Sequence, residues 1–403
     1  MVPKNPDFVI VGAGIVGLTI ARALAERKCG SVLILEKEEA LGLHASGRNS
    51  GVLHTGIYYG ADSLKARFCS EGARKMRAYA AEKGIPVLQT GKVIVAPTPE
   101  SAAGIDELLS RAEANGARAR KITPEELKKL EPEAHTCGAA LFSPETAVID
   151  SLKVLESLER ELESRGVTIL KSCPVVGLDA KERSLQTPKE KFGYGHLINT
   201  SGLHADRVAH WMGVGEKYGI LPFKGIYYKL RPEAAARFRG AIYPVPNPAM
   251  PFLGVHITRT VHQEVILGPT AIPALGRENY GILKGLDLRD VPQILSDLLR
   301  MFAGNISGFR NLVREEIPHY ARAGFLKSVQ KLAPALQEKD VEPKGYKVGL
   351  RAQLVERKTL RLVMDFVVED GPHSTHILNA VSPAFTASMA FAEMITDKIQ
   401  NRA

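Results

Sequence analysis

The chain has 403 residues, 45% hydrophobic and 24% charged, close to globular averages and long enough for two domains with buried cores. Its formal charge of +9 is carried by Lys and Arg spread along the chain and not gathered in one block, which makes nucleic acid the least favoured partner class. Cys29, Cys69, Cys137 and Cys173 are far apart and form no CxxC pair, which argues against a zinc site or a disulfide framework and for a reducing compartment.

No stretch reaches the roughly 18 continuous apolar residues of a spanning helix, and the first residues run directly into a strand with no signal-peptide core. The expected location is cytoplasmic, with peripheral attachment to the inner face of a membrane as the alternative. Residues 8–11 are aromatic or β-branched, Gly12, Gly14 and Gly17 follow, and residues 18–24 carry a helical pattern. Residues 32–35 read as the next strand and end at Glu36, so residues 7–37 form one βαβ unit.

Thr123, Pro124 and Glu126 mark a capping box that opens a short helix. Asp150 caps a longer one, with Leu152, Leu155, Leu158 and Leu162 on a face and Gly166 at its end, before a strand at residues 167–170. After residues 197–199 come a turn at Ser201 and Gly202 and a helix at 206–212. Residues 221–269 change to short β-rich runs separated by Pro and Gly, as in an antiparallel sheet. Residues 286–333 turn helical, and strands return from Gly349 before a last helix. The expected class is α/β, or α+β overall. A discontinuous Rossmann-like domain (1–85, 148–220 and 345–403) would carry an inserted substrate domain (86–147 and 221–344) built on a mixed or antiparallel sheet plus helices.

Gly12 permits the tight turn, Gly14 lets a pyrophosphate approach the backbone, and the helix N-terminus faces the phosphates. Glu36, 19 residues after Gly17, is placed to accept both hydroxyls of an adenosine ribose. These residues read only the ADP half and do not separate FAD from NAD. The Gly-bounded loop of residues 44–54, HASGRNSGVLH, offers small residues, hydroxyls and one Arg for following a pyrophosphate and a flavin edge.

That loop resembles the D-amino-acid-oxidase-like flavoproteins. Its longer form, SGRNSGVLHTGIYY running on into SLKARFCSEG, resembles the L-2-hydroxyglutarate oxidase/dehydrogenase family. PFKGIYYKL at 222–230, YPVPNPAMPFLGVHITR at 243–259, LGP at 267–269, LRAQL at 350–354 and STHILNAVSPAFTAS at 374–388 extend the resemblance along nearly the whole chain. Val381, before Ser382, departs from the expected proline.

The resemblance implies FAD, held by Gly12, Gly14, Gly17, Glu36 and Lys37, by Ser46, Arg48, Asn49 and Ser50, and by the backbone at Val175. It also implies contacts from Ser201 and Gly202, and from Ser382, where a helix N-terminus faces the flavin pyrimidine. The implied reaction is oxidation of L-2-hydroxyglutarate to 2-oxoglutarate, with electrons passed to a quinone, oxygen or another acceptor. Related amine or amino-acid oxidases and a non-catalytic flavin-binding protein stand as alternatives.

Oxidising a 2-hydroxy acid needs a base for the hydroxyl proton and groups that hold carboxylate. His256, in the GVH segment, is the first choice as base and His54 the second. Arg259, Arg351 and Lys224 are the cationic candidates for carboxylate, with Tyr58 and Tyr243 as hydroxyl donors. No metal site is expected, since His, Asp and Glu nowhere gather at ligand spacing along the sequence. Residues 309–331, with Arg310, Arg314, Arg322, Lys327 and Lys331 among Phe309, Tyr320 and Phe325, read as a solvated amphipathic helix, or else as a membrane-docking face.

Overall fold

A computed structural model of the chain describes residues 2–402. The strand Phe8–Val11 is flanked in parallel by Val32–Leu35 and His196–Asn199, and the six-stranded sheet is completed by Thr168–Leu170, Ser374–Asn379 and the antiparallel edge Val367–Gly371. Apolar runs such as VLIL, buried at every position, suit strands covered on both faces. The helices Ile15–Glu26, Leu64–Glu82, Ser151–Ser164 and Ala384–Gln400 pack their apolar residues into one core on a face of this sheet. Gly72 lets two of them approach closely, because a Cβ there would stand 2.6 Å from the Ala387 Cα.

The second sheet has nine strands, mostly antiparallel, with Lys92–Val95 paired in parallel to Ala241–Pro244 near its middle. Of the short runs expected over 221–269, three appear as Ala241–Pro244, His256–Arg259 and Val265–Gly268, while the first belongs to a longer strand, residues 218–229. It pairs with Lys347–Glu356 from Tyr218 opposite Glu356 to Tyr227 opposite Lys347. Lys347–Glu356, expected with the nucleotide-binding segment 345–403, therefore belongs to the large sheet, and the chain returns to the parallel sheet only at Val367.

The segment 309–331 is not one helix. It comprises Phe309–Glu316 and Arg322–Gln330 joined by the 3-10 turn Ile317–Tyr320. Phe309 and Phe325 are buried in different clusters, and Arg310 and Arg322 donate to backbone carbonyls of Phe302, Ala303 and Val341. Two of the three aromatic side chains of that face are thus spent on packing, while Tyr320 is exposed. Among the described residues no helix is long and apolar enough to cross a membrane.

Candidate active site

One cavity of about 650 Å³ runs from the ends of the parallel strands to the underside of the large sheet. Its first end is made largely of backbone. Gly12 has φ +103°, and a Cβ on it would lie 2.8 Å from the Thr200 carbonyl oxygen, so only glycine fits the turn. Gly14 lines the cavity. Gly17 does not, and its missing Cβ instead spares a clash with the Gly12 carbonyl oxygen at 2.1 Å.

The Glu36 carboxylate accepts from Ala13 N–H at 2.8 Å and Glu38 N–H at 3.0 Å, one bond per oxygen, which leaves each a lone pair for a ligand hydroxyl. Ser46 Oγ accepts the Ile15 N–H at the helix start. Asn49 folds the loop upon itself by donating to Ala45 and Ser46 and accepting from Gly51, while Arg48 donates to the Leu43 and Val348 carbonyls. Ser46, Arg48, Asn49, Ser50, Val175, Ser201, Gly202 and Ser382 all face the cavity. The helix Ala384–Gln400 begins beside Ser382, so helix N-termini meet the cavity at two places.

A strap the sequence did not reveal closes this end. Lys37 pairs with Glu38 and with Glu278 of the large-sheet insertion, His204 pairs with Glu278 at 2.9 Å, and His44 bridges Glu38 and Tyr280. The Arg48 guanidinium lies 4.4 Å from the centre of the Tyr280 ring. The His204 and Lys37 contacts hold the Glu278 carboxyl down to about 2. Ligand atoms of Glu38, His44 and Glu278 do gather within 4.8 Å of one another, against the sequence expectation, but Lys37 already pairs with both carboxylates and His204 with that of Glu278.

The other end is built from side chains. His256 stacks on Tyr243 with ring centres 3.9 Å apart, and its Nδ1 lies 3.0 Å from the Gly254 carbonyl oxygen. Nδ1 must donate in that bond, which leaves the Nε2 lone pair open to act as base. Burial pushes the imidazole down to about 4, so it is neutral at physiological pH. His54 also lines the cavity, with burial first and then Lys92 and His256 holding it down to about 3, and its Nδ1 has no partner. Arg351 reaches the cavity with its guanidinium 4.7 Å from the Phe252 ring centre, and no carboxylate pairs with it among the described residues.

Three expected carboxylate ligands lie elsewhere, and strand alternation explains two of them. Lys224 points away from the face that Phe223 and Gly225 present to the cavity, and donates to Asn279 Oδ1 at 3.0 Å and the Gly281 carbonyl at 2.7 Å. Arg259 points away from the His256 side and binds the Phe238 carbonyl and Gln263. Tyr58 stands behind Tyr243, ring centres 6.3 Å apart, and does not touch the cavity. Tyr243 does, with its buried hydroxyl unpartnered. Sequence reasoning missed Lys92, Tyr227 and Phe252 at this end. A lysine opening the otherwise apolar strand KVIV was the available signal for Lys92.

A glycine cradle, an acid at the second strand's end and a long cavity ending at a neutral imidazole fit a flavin dinucleotide. Residues 7–398 match the family described as FAD dependent oxidoreductase. The chain belongs to that family. Among curated relatives, L-2-hydroxyglutarate dehydrogenase of Escherichia coli K12 is 34% identical over 98% of this chain and 93% of its own length. The human mitochondrial L-2-hydroxyglutarate dehydrogenase is 36% identical over 98% of this chain and 89% of its own. Among solved structures, L-alpha-glycerophosphate oxidase of Mycoplasma pneumoniae with FAD bound superposes with a TM-score of 0.77 over 99% of this chain and 95% of that one, at 20% identity, a likeness of fold. FAD is the cofactor of this flavoprotein, and the residues of the Glu36 end are suited to its ADP half.

Proposed function

We propose that the chain oxidises L-2-hydroxyglutarate to 2-oxoglutarate, with the electrons leaving to a quinone or oxygen. The observation that carries the reading is His256: a buried, neutral imidazole whose Nδ1–H is committed to Gly254, in a cavity that also holds an unpaired guanidinium. The likeness to the E. coli and human dehydrogenases over almost the full chain supports the same substrate.

In this reading FAD, when bound, supplies the acceptor for the hydride from Cα. The protein's part is positioning and proton transfer. Arg351 holds a carboxylate by a two-point fork, the unpartnered Tyr243 hydroxyl donates to substrate oxygen, and His256 Nε2 takes the hydroxyl proton. His54 lines the same end, and its neutral ring adds a polar edge without a competing charge. Phe252, Leu253 and Tyr227 exclude water around these groups.

The test is anaerobic mixing of the yellow holoprotein with each isomer. L-2-hydroxyglutarate should bleach the flavin band and D-2-hydroxyglutarate should not. Bleaching by glycine, sarcosine or another amino acid instead would move the chain to the amine oxidases, and no bleaching by any of them would remove the catalytic reading. Reoxidation of the reduced protein by oxygen or by a soluble quinone then tells which acceptor it uses.

A further inference from the structure

We propose that Lys92, which stands behind the Tyr243 ring, supplies the positive charge by which the cavity selects a dicarboxylate over a monocarboxylate. The inference rests on the dicarboxylate reading above and goes further, by assigning the charge that recognises the second carboxylate.

Lys92 opens the strand Lys92–Val95 in the middle of the large sheet and is 1% exposed. Its ammonium lies 4.5 Å from the centre of the Tyr58 ring and 5.1 Å from that of Tyr243, two rings stacked with planes 22° apart. Among the described residues no carboxylate comes within 4 Å of it, although most other lysines of the chain that form ion pairs do so at the surface. The Cys69 thiol is the one group nearby with an opposing effect on its ionisation, and burial pushes that thiol up to about 12, so it is not a thiolate counterion. The cation therefore has two aromatic faces and no anion.

A buried, unpaired charge is among the most costly features a core can hold, and aromatic faces offset only part of the cost. An anion arriving in the cavity completes the pair. Tyr243 forms the wall between Lys92 and the cavity. Adding a van der Waals contact of about 3.5 Å to the ring distance puts a ligand carboxylate roughly 9 Å from the ammonium. At the effective dielectric of a protein site, a unit charge at that range changes an anion's affinity by roughly ten- to thirtyfold. Arg351 lines the cavity itself and binds the first carboxylate whether or not a second exists. The carboxylate drawn to the Tyr243 ring, in front of Lys92, is the one only a dicarboxylate has.

Burial lowers the Lys92 ammonium to about 8, so the charge is present at neutral pH and fades above it unless an anion holds the proton. The groups facing this region are Tyr58 and Tyr243, both pushed further up by burial, Cys69, and the neutral His54 and His256. Lys65, lowered by burial to about 7, and Lys347, to about 8, titrate in the same window around the cavity. A variant at Lys92 itself is needed to separate it from them, and arginine, which keeps its charge throughout, is the natural choice.

The experiment titrates the holoprotein with glutarate and, separately, with pentanoate, following the flavin absorption band, in wild type, Lys92→Met and Lys92→Arg. Wild type should bind glutarate at least tenfold more tightly than pentanoate. Lys92→Met should lose at least tenfold for glutarate and less than about threefold for pentanoate, while Lys92→Arg keeps the preference. Raising the pH from about 7 to about 9.5 should weaken glutarate binding in wild type more than in Lys92→Arg. Equal losses for both acids in Lys92→Met, or no loss for either, overturn the assignment. If Lys92→Met fails to retain flavin, identical pH dependence in wild type and Lys92→Arg overturns it by itself. No turnover enters this measurement. A protein that L-2-hydroxyglutarate does not reduce, yet which shows the Lys92-dependent preference, refutes the proposed reaction alone.

Discussion

At the Glu36 end of the cavity the walls are backbone: a glycine turn, two helix N-termini and a loop tied to itself by Asn49 and Arg48. At the Tyr243 end they are side chains, His54, Arg351, and Tyr243 with His256 from two paired strands, brought from three distant segments. The first end meets a ligand with partial charges that are already satisfied or open to exchange. The second holds buried groups that lack partners, the Tyr243 hydroxyl and His54 Nδ1, beside the Lys92 ammonium, which no carboxylate pairs among the described residues, and so is costly until a ligand arrives. Binding by backbone is cheap to maintain and general; recognition by unpaired side chains is expensive and specific.

The comparison is broken most sharply by His256→Asn. Reduction of the flavin by L-2-hydroxyglutarate should slow by about 10²- to 10⁴-fold with flavin content unchanged, because only the side-chain end is touched. Rapid-mixing absorbance checks it, and an unaltered rate would remove His256 as the base. Gly12→Ala attacks the other end. With φ at +103° and the new Cβ 2.8 Å from the Thr200 carbonyl oxygen, the turn must move, at about 1–3 kcal/mol, and the protein should purify with most of its flavin missing. Full yellow colour in that variant would show the cradle to be looser than its geometry.

Lys92→Met sharpens the contrast through stability. The ammonium is lowered from 10.5 to about 8 in the folded state, so the unfolded chain binds its proton more tightly. The resulting penalty on folding is full below pH 8, shrinks as pH rises between 8 and 10.5, and vanishes above. Without added anion, Lys92→Met should be more stable than wild type at neutral pH by up to about 3 kcal/mol, and the two should converge near pH 10.5, as followed by thermal unfolding across pH. Equal stability at pH 7 would mean the charge is better compensated than its surroundings indicate. The smallest effect belongs to Arg259→Ala. That side chain binds the Phe238 carbonyl and Gln263 outside the cavity, so reduction rates should change less than about twofold, with about 1 kcal/mol lost in unfolding.

The difference between the two ends is also the difference in what could be read in advance. Gly12, Gly14 and Glu36 lie within one βαβ unit, where spacing along the chain is spacing in the fold. His256 and Arg351 follow from side-chain chemistry applied to segments that carry the resemblance. Lys224 and Arg259 belong to the same strands as cavity residues, but a strand turns alternate side chains to opposite faces, and the sequence does not say which face looks inward. The Lys37–Glu278 and His44–Tyr280 strap joins residues more than 230 positions apart and leaves no local trace.

By itself, the sequence determined the nucleotide-binding half of this protein, because glycine torsions, helix starts and the acid after the second strand are short-range requirements that few residue types satisfy. Only the tertiary structure decided the recognition end. Whether Lys92 is a surface lysine or a buried, unpaired charge depends on the pairing of Lys92–Val95 with Ala241–Pro244, which sets Tyr243 beside it, and on Tyr58 closing over it. Charge is written in the sequence, but its strength depends on the water and counterions that folding removes.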